Sequence, residues 1–275
     1  MRKTGFNIFL YLILAISAVV FIAPIVIVGY NSLKNKLYIM SDPFALPNSA
    51  TFDGENYIRG IVKSDLVASF SRSVFITVLS VGLIVLCSSM AAWYIIRRGS
   101  RLCRTIYYIL VFSMVVPFQM VMYTMTNVVM RLSLNNPIGI VFVYLGFGAG
   151  LSVFMYSGFV KSVPLALEEA AMIDGASPVR MYFSVVFPMM KPISITVAIL
   201  NAMWIWNDYL LPYLLIGNKY KTVPIAVQYL QGGYGSRDMG ALMAMLVLSV
   251  IPVVIFYLTC QKYIIKGVVA GAVKG

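Results

Sequence analysis

Few residues of this sequence could do chemistry, and three of its nine carboxylates fall within one stretch of eleven residues. The stretch reads EEAAMIDGASP, from Glu168 to Pro178, in a chain that is 61% hydrophobic and 11% charged. Its acids are Glu168, Glu169 and Asp174. Two adjacent acids beside two alanines can meet basic groups of a closely fitting protein partner, or they can simply be solvated in an amphipathic connector. The residues alone leave both interpretations open.

The other reactive side chains argue against an enzyme. The chain has no histidine and three cysteines, of which Cys87 and Cys260 lie in apolar runs and Cys103 lies beside a group of arginines. This arrangement offers neither an outer-loop disulfide nor a metal site. The glycine-rich stretch 267–275 lacks the Gly-Lys-Ser/Thr order of a phosphate-binding loop. We therefore predict that the chain is not an enzyme and holds no metal, cofactor or ATP itself.

Six mostly apolar runs must position these residues. They cover residues 7–30, 73–96, 105–130, 138–160, 193–216 and 239–263. Each run is long enough to cross a hydrocarbon layer of about 30 Å as a helix. We expect an all-α membrane protein with six transmembrane helices, folded as a single domain over residues 1–275, and we expect the first run to stay as an anchor because it is too long for a signal peptide. In the fourth run Gly146, Gly148 and Gly150 predict close contacts with neighbouring helices.

The net charge of +12 follows the predicted topology. If the amino terminus is cytoplasmic, twelve of the 21 cations and three of the nine acids fall on the inner side. Short loops with an excess of Lys and Arg face the cytoplasm, and the strongest such cluster is Arg97, Arg98, Arg101 and Arg104. The basicity therefore indicates a multi-pass protein of the plasma membrane with both termini in the cytoplasm, and we expect no nucleic-acid partner.

The cytoplasmic loop 161–192, between the fourth and fifth runs, is predicted to form two short helices outside the bilayer. Residues 165–174 are mostly good helix formers. We expect Ser162 to cap the first helix and Gly175 to end it in a left-handed turn. We expect Ser177 to cap the second helix and Pro188 to break it. Such a loop suits a docking role and an amphipathic connector equally well, and the residues alone do not decide between them.

In this loop the sequence resembles the permease subunits of ATP-binding-cassette (ABC) importers, and more narrowly those of the sugar-importing, maltose-permease type. Their signature is E-A-A, three residues, G, nine residues and I-x-L-P. The chain matches this spacing with Glu169-Ala170-Ala171, Gly175 and Val185-Val186-Phe187-Pro188, where two apolar residues replace the usual Ile and Leu. Further similarities are Pro117-Phe118-Gln119, Trp206-Asn207-Asp208 and the stretches 223–235 and 267–275.

The resemblance implies a division of labour among several subunits. The loop would be a coupling helix that docks on a separate ATPase subunit, and the implied coupling residues are Glu168, Glu169, Ala170, Ala171, Asp174, Gly175 and Pro188. The implied partners are a second and different permease, two ATP-binding subunits that carry ATP and Mg²⁺, an extracytoplasmic solute-binding protein, the lipid bilayer and a sugar. The outer loops 31–72 and 217–238 would meet the binding protein.

A second set of residues is a candidate substrate pathway. Asn201, Trp204 and Asp208 fall on one helical face of the fifth run, and Asn207 lies about 100° from Asp208. An aromatic ring beside hydrogen-bonding groups suits a sugar. Gln119, just after the proline of the third run, is a further candidate. The alternatives are that Asn201 bonds a neighbouring helix, that Asp208 lies at the interface and that Gln119 satisfies a freed carbonyl.

Two other functions compete with the sugar importer. One is an importer with the same subunits for a different solute, such as glycerol phosphate or a polyamine. The other is a self-sufficient secondary transporter, which would need inverted repeats and buried ion-coupling carboxylates. The sequence has no clear repeat, and Asp208 is the only acid inside an apolar run.

Overall fold

The computed structural model describes residues 2–217, 219–231 and 238–272. Within these residues the chain is helical, and its only β pairing is an isolated bridge between Lys34 and Phe52. The first seven helices are α1 (Arg2–Asn31), α2 (Lys36–Ser41), α3 (Glu55–Ser64), α4 (Leu66–Arg98), α5 (Arg101–Ser113), α6 (Phe118–Arg131) and α7 (Gly139–Val160). They are followed by α8 (Leu165–Ile173), α9 (Pro178–Met181), α10 (Phe187–Met189), α11 (Lys191–Asn207), α12 (Leu210–Ile216), α13 (Val223–Tyr229) and α14 (Met239–Ala272). The predicted all-α fold is confirmed.

Among the described residues four helices, α1, α4, α7 and α14, are long and apolar enough to cross a membrane, and the number rises to six if each of two bent helix pairs is counted as one span. The third predicted run is divided into α5 and α6, which meet at 107°. Pro117 explains this break, because proline has no N–H to donate and disfavours helical backbone at the preceding residue. The fifth predicted run is interrupted at Asp208, whose ψ of 123° is extended, and a bend of 78° precedes α11.

The loop 161–192 follows its predicted plan with two differences. Ser177 caps α9 by accepting a hydrogen bond from the Arg180 N–H, as expected. The cap at Ser162 is wrong, because its hydroxyl donates to the Phe159 carbonyl instead. Pro188 does not end the second helix; it lies inside α10, and the bend follows at Met190.

A π-helical segment, Tyr182–Val186, precedes α10. Pro188 accounts for it, since the proline cannot donate to the carbonyl four residues earlier. The Phe187 N–H bonds to the Tyr182 carbonyl in the wider π pattern. Short π segments are frequent at functional sites.

Phe70–Thr222 and the described residues from Ile255 onward form one compact unit. Its core contains the fully buried side chains of Ile84, Tyr144, Tyr156 and Tyr182. The predicted close contacts of α7 exist at two of the three glycines. A Cβ on Gly148 would lie 2.5 Å from Ile84 Cδ1 and 2.8 Å from Asn201 Oδ1, and one on Gly150 would lie 2.6 Å from the Leu110 carbonyl. A Cβ on Gly146 would meet nothing within 4 Å.

The described residues up to Ser69, together with those of Val223–Val254, form a second unit. A buried asparagine organises its polar interior: Asn56 Nδ2 donates to the carbonyls of Ser32 and Lys34, both at 2.9 Å. Lys34 is itself buried, and its Nζ donates to the carbonyls of Asp42 at 2.7 Å and Ala45 at 2.8 Å. These bonds hold the polar segment after α1 in one conformation.

Asp238 links α3 to the start of α14 in this second unit. Its Oδ2 lies 2.6 Å from Lys63 Nζ and 3.7 Å from Arg59 Nε, and its Oδ1 accepts from the Ala241 N–H at 3.1 Å. Burial alone would raise the pKa of the Asp238 carboxyl. The bonds from Lys63 and Ala241, with the charges of Lys63 and Arg59, outweigh burial and hold this pKa below its usual value.

We predict that Gly148→Ala lowers the free energy of unfolding by about 1–3 kcal/mol, the usual cost of overpacking. Hydrogen bonds hold the Asn201 side chain that the new methyl group would meet. Thermal unfolding of the purified chain in detergent measures the effect. Gly146→Ala is the matched control on the same helix, and we expect it to leave the unfolding temperature unchanged or slightly higher. Equal effects of the two substitutions would contradict the predicted packing.

We predict that Asp238→Asn lowers the free energy of unfolding by roughly 1 kcal/mol at pH 7, because asparagine keeps the cap of α14 but loses two partly exposed ion pairs. The lowered pKa of Asp238 means that its ionised form favours the folded state. This stabilisation is complete above the unfolded pKa of about 3.9 and is lost as the pH falls through the lower folded pKa. The difference between wild type and variant should therefore be constant from pH 7 to pH 5 and shrink below about pH 4.

Thermal unfolding across this pH range tests the prediction. Glu55→Gln is the control, because Glu55 also pairs with Arg59 but its side chain is 79% exposed. A difference that grows on acidification would contradict the sign of the pKa shift.

Candidate functional site

Helix α8 carries most of the predicted coupling residues on two opposite faces. Ala166, Glu169, Ala170 and Ile173 share one face at helical spacing, and all four are exposed. The two alanines make this face flat, Glu169 gives it a negative charge, and Ile173, which is 86% exposed, adds an apolar contact at its end. We name these four residues the α8 outer face. Its flatness and single charge fit a closely approaching, basic protein surface.

Glu168 points in the opposite direction. Its side chain is 3% exposed, and its Oε1 lies 2.6 Å from Arg97 Nη2 and 2.8 Å from Arg97 Nε. The indole N–H of Trp93 donates to Oε2 at 2.9 Å. Both carboxylate oxygens are thus bonded within the chain. The expectation that Glu168 meets a partner protein is corrected, because successive residues of a helix point about 100° apart and this one faces α4.

Arg97 also bonds the turn before α8, since its Nη2 donates to the Val163 carbonyl at 2.9 Å. The guanidinium therefore fastens both the start of α8 and its first buried acid. Removing one partner from a buried ion pair costs about 3–5 kcal/mol, because the other charge stays buried without compensation. The last turn of α4 and the start of the loop are firmly joined.

The π segment Tyr182–Val186, in the later part of the loop, contacts the same face of α4. Ser89, Trp93 and Arg97 recur every four residues, so their side chains lie in a row along the helix. The Ser89 hydroxyl bonds the Tyr182 hydroxyl at 2.6 Å, and the Trp93 and Tyr182 ring centroids lie 5.4 Å apart. We call Ser89, Trp93 and Arg97 the α4 row. It contacts α8 and the π segment together.

Gly175 supplies the left-handed turn after α8, with φ of +75°. The Gly175 N–H bonds the Met172 carbonyl at 3.0 Å and the Ala176 N–H bonds the Ala171 carbonyl at 2.9 Å, so the carbonyls at the helix end are satisfied. Ala171 packs against the core of the unit. Asp174 is exposed at this turn. Pro188 is also exposed but lies beyond the π segment, away from the α8 outer face in the sequence.

Asn201 does not line an open path. It is 5% exposed, and its Nδ2 donates to Ser152 Oγ at 3.2 Å and to the Val197 carbonyl at 2.8 Å. Asn201 therefore joins α11 to α7, which is the alternative that the sequence left open. Its inclusion among the pathway residues is corrected, since its polar groups are already used between helices.

Trp204 and Asp208 are brought together by Tyr144, which the sequence did not single out. The Tyr144 hydroxyl donates to Asp208 Oδ2 at 3.1 Å, and its ring meets Trp204 edge-on at 5.4 Å between centroids. Asp208 Oδ1 also accepts from the Leu210 N–H at 3.0 Å. Asp208 thus stabilises the break between α11 and α12, whereas the Trp204 side chain remains 41% exposed.

The remaining pathway candidates are exposed. Asn207 Nδ2 donates to the Met203 carbonyl at 2.7 Å, one turn earlier in α11. Gln119 lies in the first turn of α6, after the bend at Pro117. The structure therefore leaves Trp204, Asn207 and Gln119 available for a ligand.

Sequence reasoning missed Arg97, Trp93 and Tyr144 as site residues. Arg97 was interpreted only as a topology signal, although the four-residue spacing from Trp93 offered a hint that both share one helix face. Across the described residues, no group of three or more His, Cys, Asp or Glu side chains is placed to hold a metal ion.

Comparison with known proteins gives full-length similarities. The chain is 38% identical over 277 residues, covering 100% of both chains, to the probable starch degradation products transport system permease protein of Thermoanaerobacterium thermosulfurigenes. It is 36% identical to the multiple sugar-binding transport system permease protein of Streptococcus mutans, with 96% of each chain covered. It is 32% identical to the melibiose/raffinose/stachyose import permease protein of Bacillus subtilis, with 96% of this chain and 95% of the relative covered.

A solved structure shares the fold. It is a chain of a bacterial ABC transporter involved in the import of the acidic polysaccharide alginate, with a TM-score of 0.80 and 24% sequence identity over 96% of this chain and 98% of that one. The family model of the binding-protein-dependent transport system inner membrane component matches residues 84–269, which include α7, α8, α11 and the whole α4 row. Helices able to span a membrane, the loop rooted on α4 and these matches lead to one conclusion: the chain belongs to the family of inner membrane components of binding-protein-dependent transport systems, and it is an ABC importer permease.

Proposed function

We propose that this chain translocates a sugar or oligosaccharide across the plasma membrane, driven by ATP hydrolysis on separate subunits that dock on α8. The observation that carries the docking part is the α8 outer face. It is exposed, flat and singly charged, and it stands on a helix whose opposite side is fixed by a buried ion pair. A surface that must transmit force needs both an accessible contact and a rigid attachment.

The substrate class is inferred from the relatives. Three full-length relatives are named for the transport of starch degradation products, of multiple sugars, and of melibiose, raffinose and stachyose. The exposed Trp204 with its neighbour Asn207 is chemically suitable for a sugar, whose C–H faces pack on aromatic rings and whose hydroxyls need polar partners. Glycerol phosphate and polyamine importers have no comparable support in these names.

The proposed complex has several further members. A second, different permease completes the pathway, two ATP-binding subunits carry ATP and Mg²⁺, and a solute-binding protein docks on the outer side. The outer loops 31–72 and 217–238 are the proposed docking surface for it; of the latter, residues 218 and 232–237 lie outside the described residues. We further propose that residues 1–275 act as one permease domain with both termini in the cytoplasm, in line with the arginines after α4.

We predict that Glu169→Lys abolishes ATP-driven uptake and causes the ATPase subunits to dissociate, because the substitution places a positive charge on the α8 outer face. Co-purification of the ATPase subunits from the native membrane and uptake of a labelled oligosaccharide measure both effects. The matched control for co-purification is Glu55→Lys, the same charge reversal on an exposed residue of α3, which lies in the proposed outer docking loop and should leave the ATPase subunits bound. Normal uptake by Glu169→Lys, at a membrane level equal to wild type, would refute the docking proposal.

A second substitution tests the geometry of the turn. Gly175→Val is expected to abolish coupling as well, because a β-branched residue is strongly disfavoured at φ of +75° and the helix end would shift. Uptake and co-purification are measured in the same way. Gly158→Val is its control, because a Cβ at that position meets nothing within 4 Å.

Asp208 separates the proposal from a secondary transporter. We predict that uptake by Asp208→Asn still requires ATP and is insensitive to collapse of the proton and sodium gradients, because the carboxylate serves Tyr144 and a helix end. Uptake into vesicles with and without ionophores measures this. Wild-type uptake that stops with the ion gradient while ATP is present would indicate that Asp208 is an ion-coupling group.

A further inference from the structure

We propose that the ion pair between Glu168 and Arg97 is the joint through which movement of the coupling loop reaches helix α4. This inference rests on the proposed function, since it presumes that α8 is displaced by a docked ATPase subunit. Glu168 and Arg97 are positioning residues here: neither contacts the sugar or ATP. Neighbouring acids in α8 then have separate tasks, with Glu169 contacting the partner subunit and Glu168 holding the chain's own transmembrane helix.

The geometry makes the joint stiff. Arg97 binds Glu168 through two nitrogens and the Val163 carbonyl through one of them, so the carboxylate, the guanidinium and the turn before α8 are fixed relative to each other. The Trp93 indole occupies the other carboxylate oxygen. The Glu168 side chain is 3% exposed, so water cannot readily replace these bonds as α8 moves.

The route from the loop into α11 is less direct. Towards α11 the chain passes through the π segment Tyr182–Val186 and then bends by 78° at Met190. These irregular points can absorb a displacement. Helix α4, in contrast, is continuous from Leu66 to Arg98, 33 residues or about 50 Å of helix, and the ion pair lies in its last two turns. A push on α8 therefore moves one end of a long lever.

The contacts of the π segment support the same assignment. Tyr182, inside the π segment, contacts Ser89 and Trp93 of the α4 row. Helix α8 and the π segment thus both contact a single face of α4, and α8 makes the charged contact. Movement of either part of the loop therefore reaches α4 through the α4 row.

The experiment uses the complete transporter in proteoliposomes with its binding protein. Glu168→Gln and Arg97→Gln should each retain the ATPase subunits on purification, because the α8 outer face is unchanged. Sugar transported per ATP hydrolysed should fall by about tenfold or more, as expected when a buried charge loses its partner. Arg98→Gln, the neighbouring exposed arginine, is the matched control and should behave as wild type.

The double variant Arg97→Gln/Glu168→Gln distinguishes a joint from two unrelated effects. If the residues act through their pair, the double variant loses no more transport per ATP than either single variant. Multiplied losses would overturn the proposal. If a single variant fails to accumulate in the membrane, Trp93→Phe, which removes the indole donor but keeps an aromatic ring against Tyr182, replaces it and should lower the same ratio more mildly.

A distance measurement provides a second readout. Spin labels at Met172 of α8 and Tyr94 of α4, both more than half exposed, should keep one distance with and without ATP in the otherwise wild-type transporter, whose native cysteines are replaced. In Glu168→Gln this distance should change between the two states. A change of several ångströms in the otherwise wild-type transporter would overturn the joint.

The outcomes also separate this inference from the proposed function. If wild-type protein purifies without ATPase subunits and transports unaided, the proposed function fails. If wild type is an ATP-driven importer but Glu168→Gln transports as much sugar per ATP, only the joint fails. Loss of the ATPase subunits from Glu168→Gln, as for Glu169→Lys, would make Glu168 a docking residue and overturn the joint as well.

Discussion

Hydrocarbon offers no hydrogen bonds to an exposed peptide group, and the fold follows from that constraint. Helices without an internal proline satisfy their own backbone, as α4 and α7 do. Wherever a helix breaks, side chains must serve the freed groups. Asp208 does so at the start of α12, where it accepts from the N–H groups of Leu210 and Leu211. Asp208 and Asn201 therefore use their polar groups to hold the helices of the chain.

Burial of a charge in the loop restricts the partners that this charge can have. Glu168 is nearly inaccessible, and it is tolerated because Arg97 and Trp93 together satisfy both of its oxygens. A neutral side chain there would pack without needing a partner, but it would also allow α8 to slide over α4. A buried charged pair permits one arrangement and penalises the others, and this favours transmission of movement over simple stability.

The sequence predicts the fold well because hydrophobic length is a strong signal in membrane proteins, and the spacing of Glu169, Gly175 and Pro188 identifies the loop. It does not predict the 107° bend, because Pro117 indicates a break but not how neighbouring helices orient the two halves. Nor does it reveal which of two adjacent acids faces inward. That choice depends on where Arg97 lies in three dimensions, 71 residues earlier in the chain. Asn201 is a similar case, because its partner Ser152 belongs to another helix.

Two adjacent acids that face different ways can make two contacts at once, which a single acid cannot do. A single acid that bound both a partner subunit and α4 would have to release one to grip the other, and motion would be lost at the exchange. With Glu169 exposed and Glu168 buried, about 100° apart on one turn, the proposed outer contact and the inner ion pair can persist together. Ala166 and Ala170 leave the proposed outer contact room to be close, and the left-handed Gly175 ends the helix. In the proposed mechanism, force therefore passes from an exposed carboxylate, through one turn of helix, to a buried one.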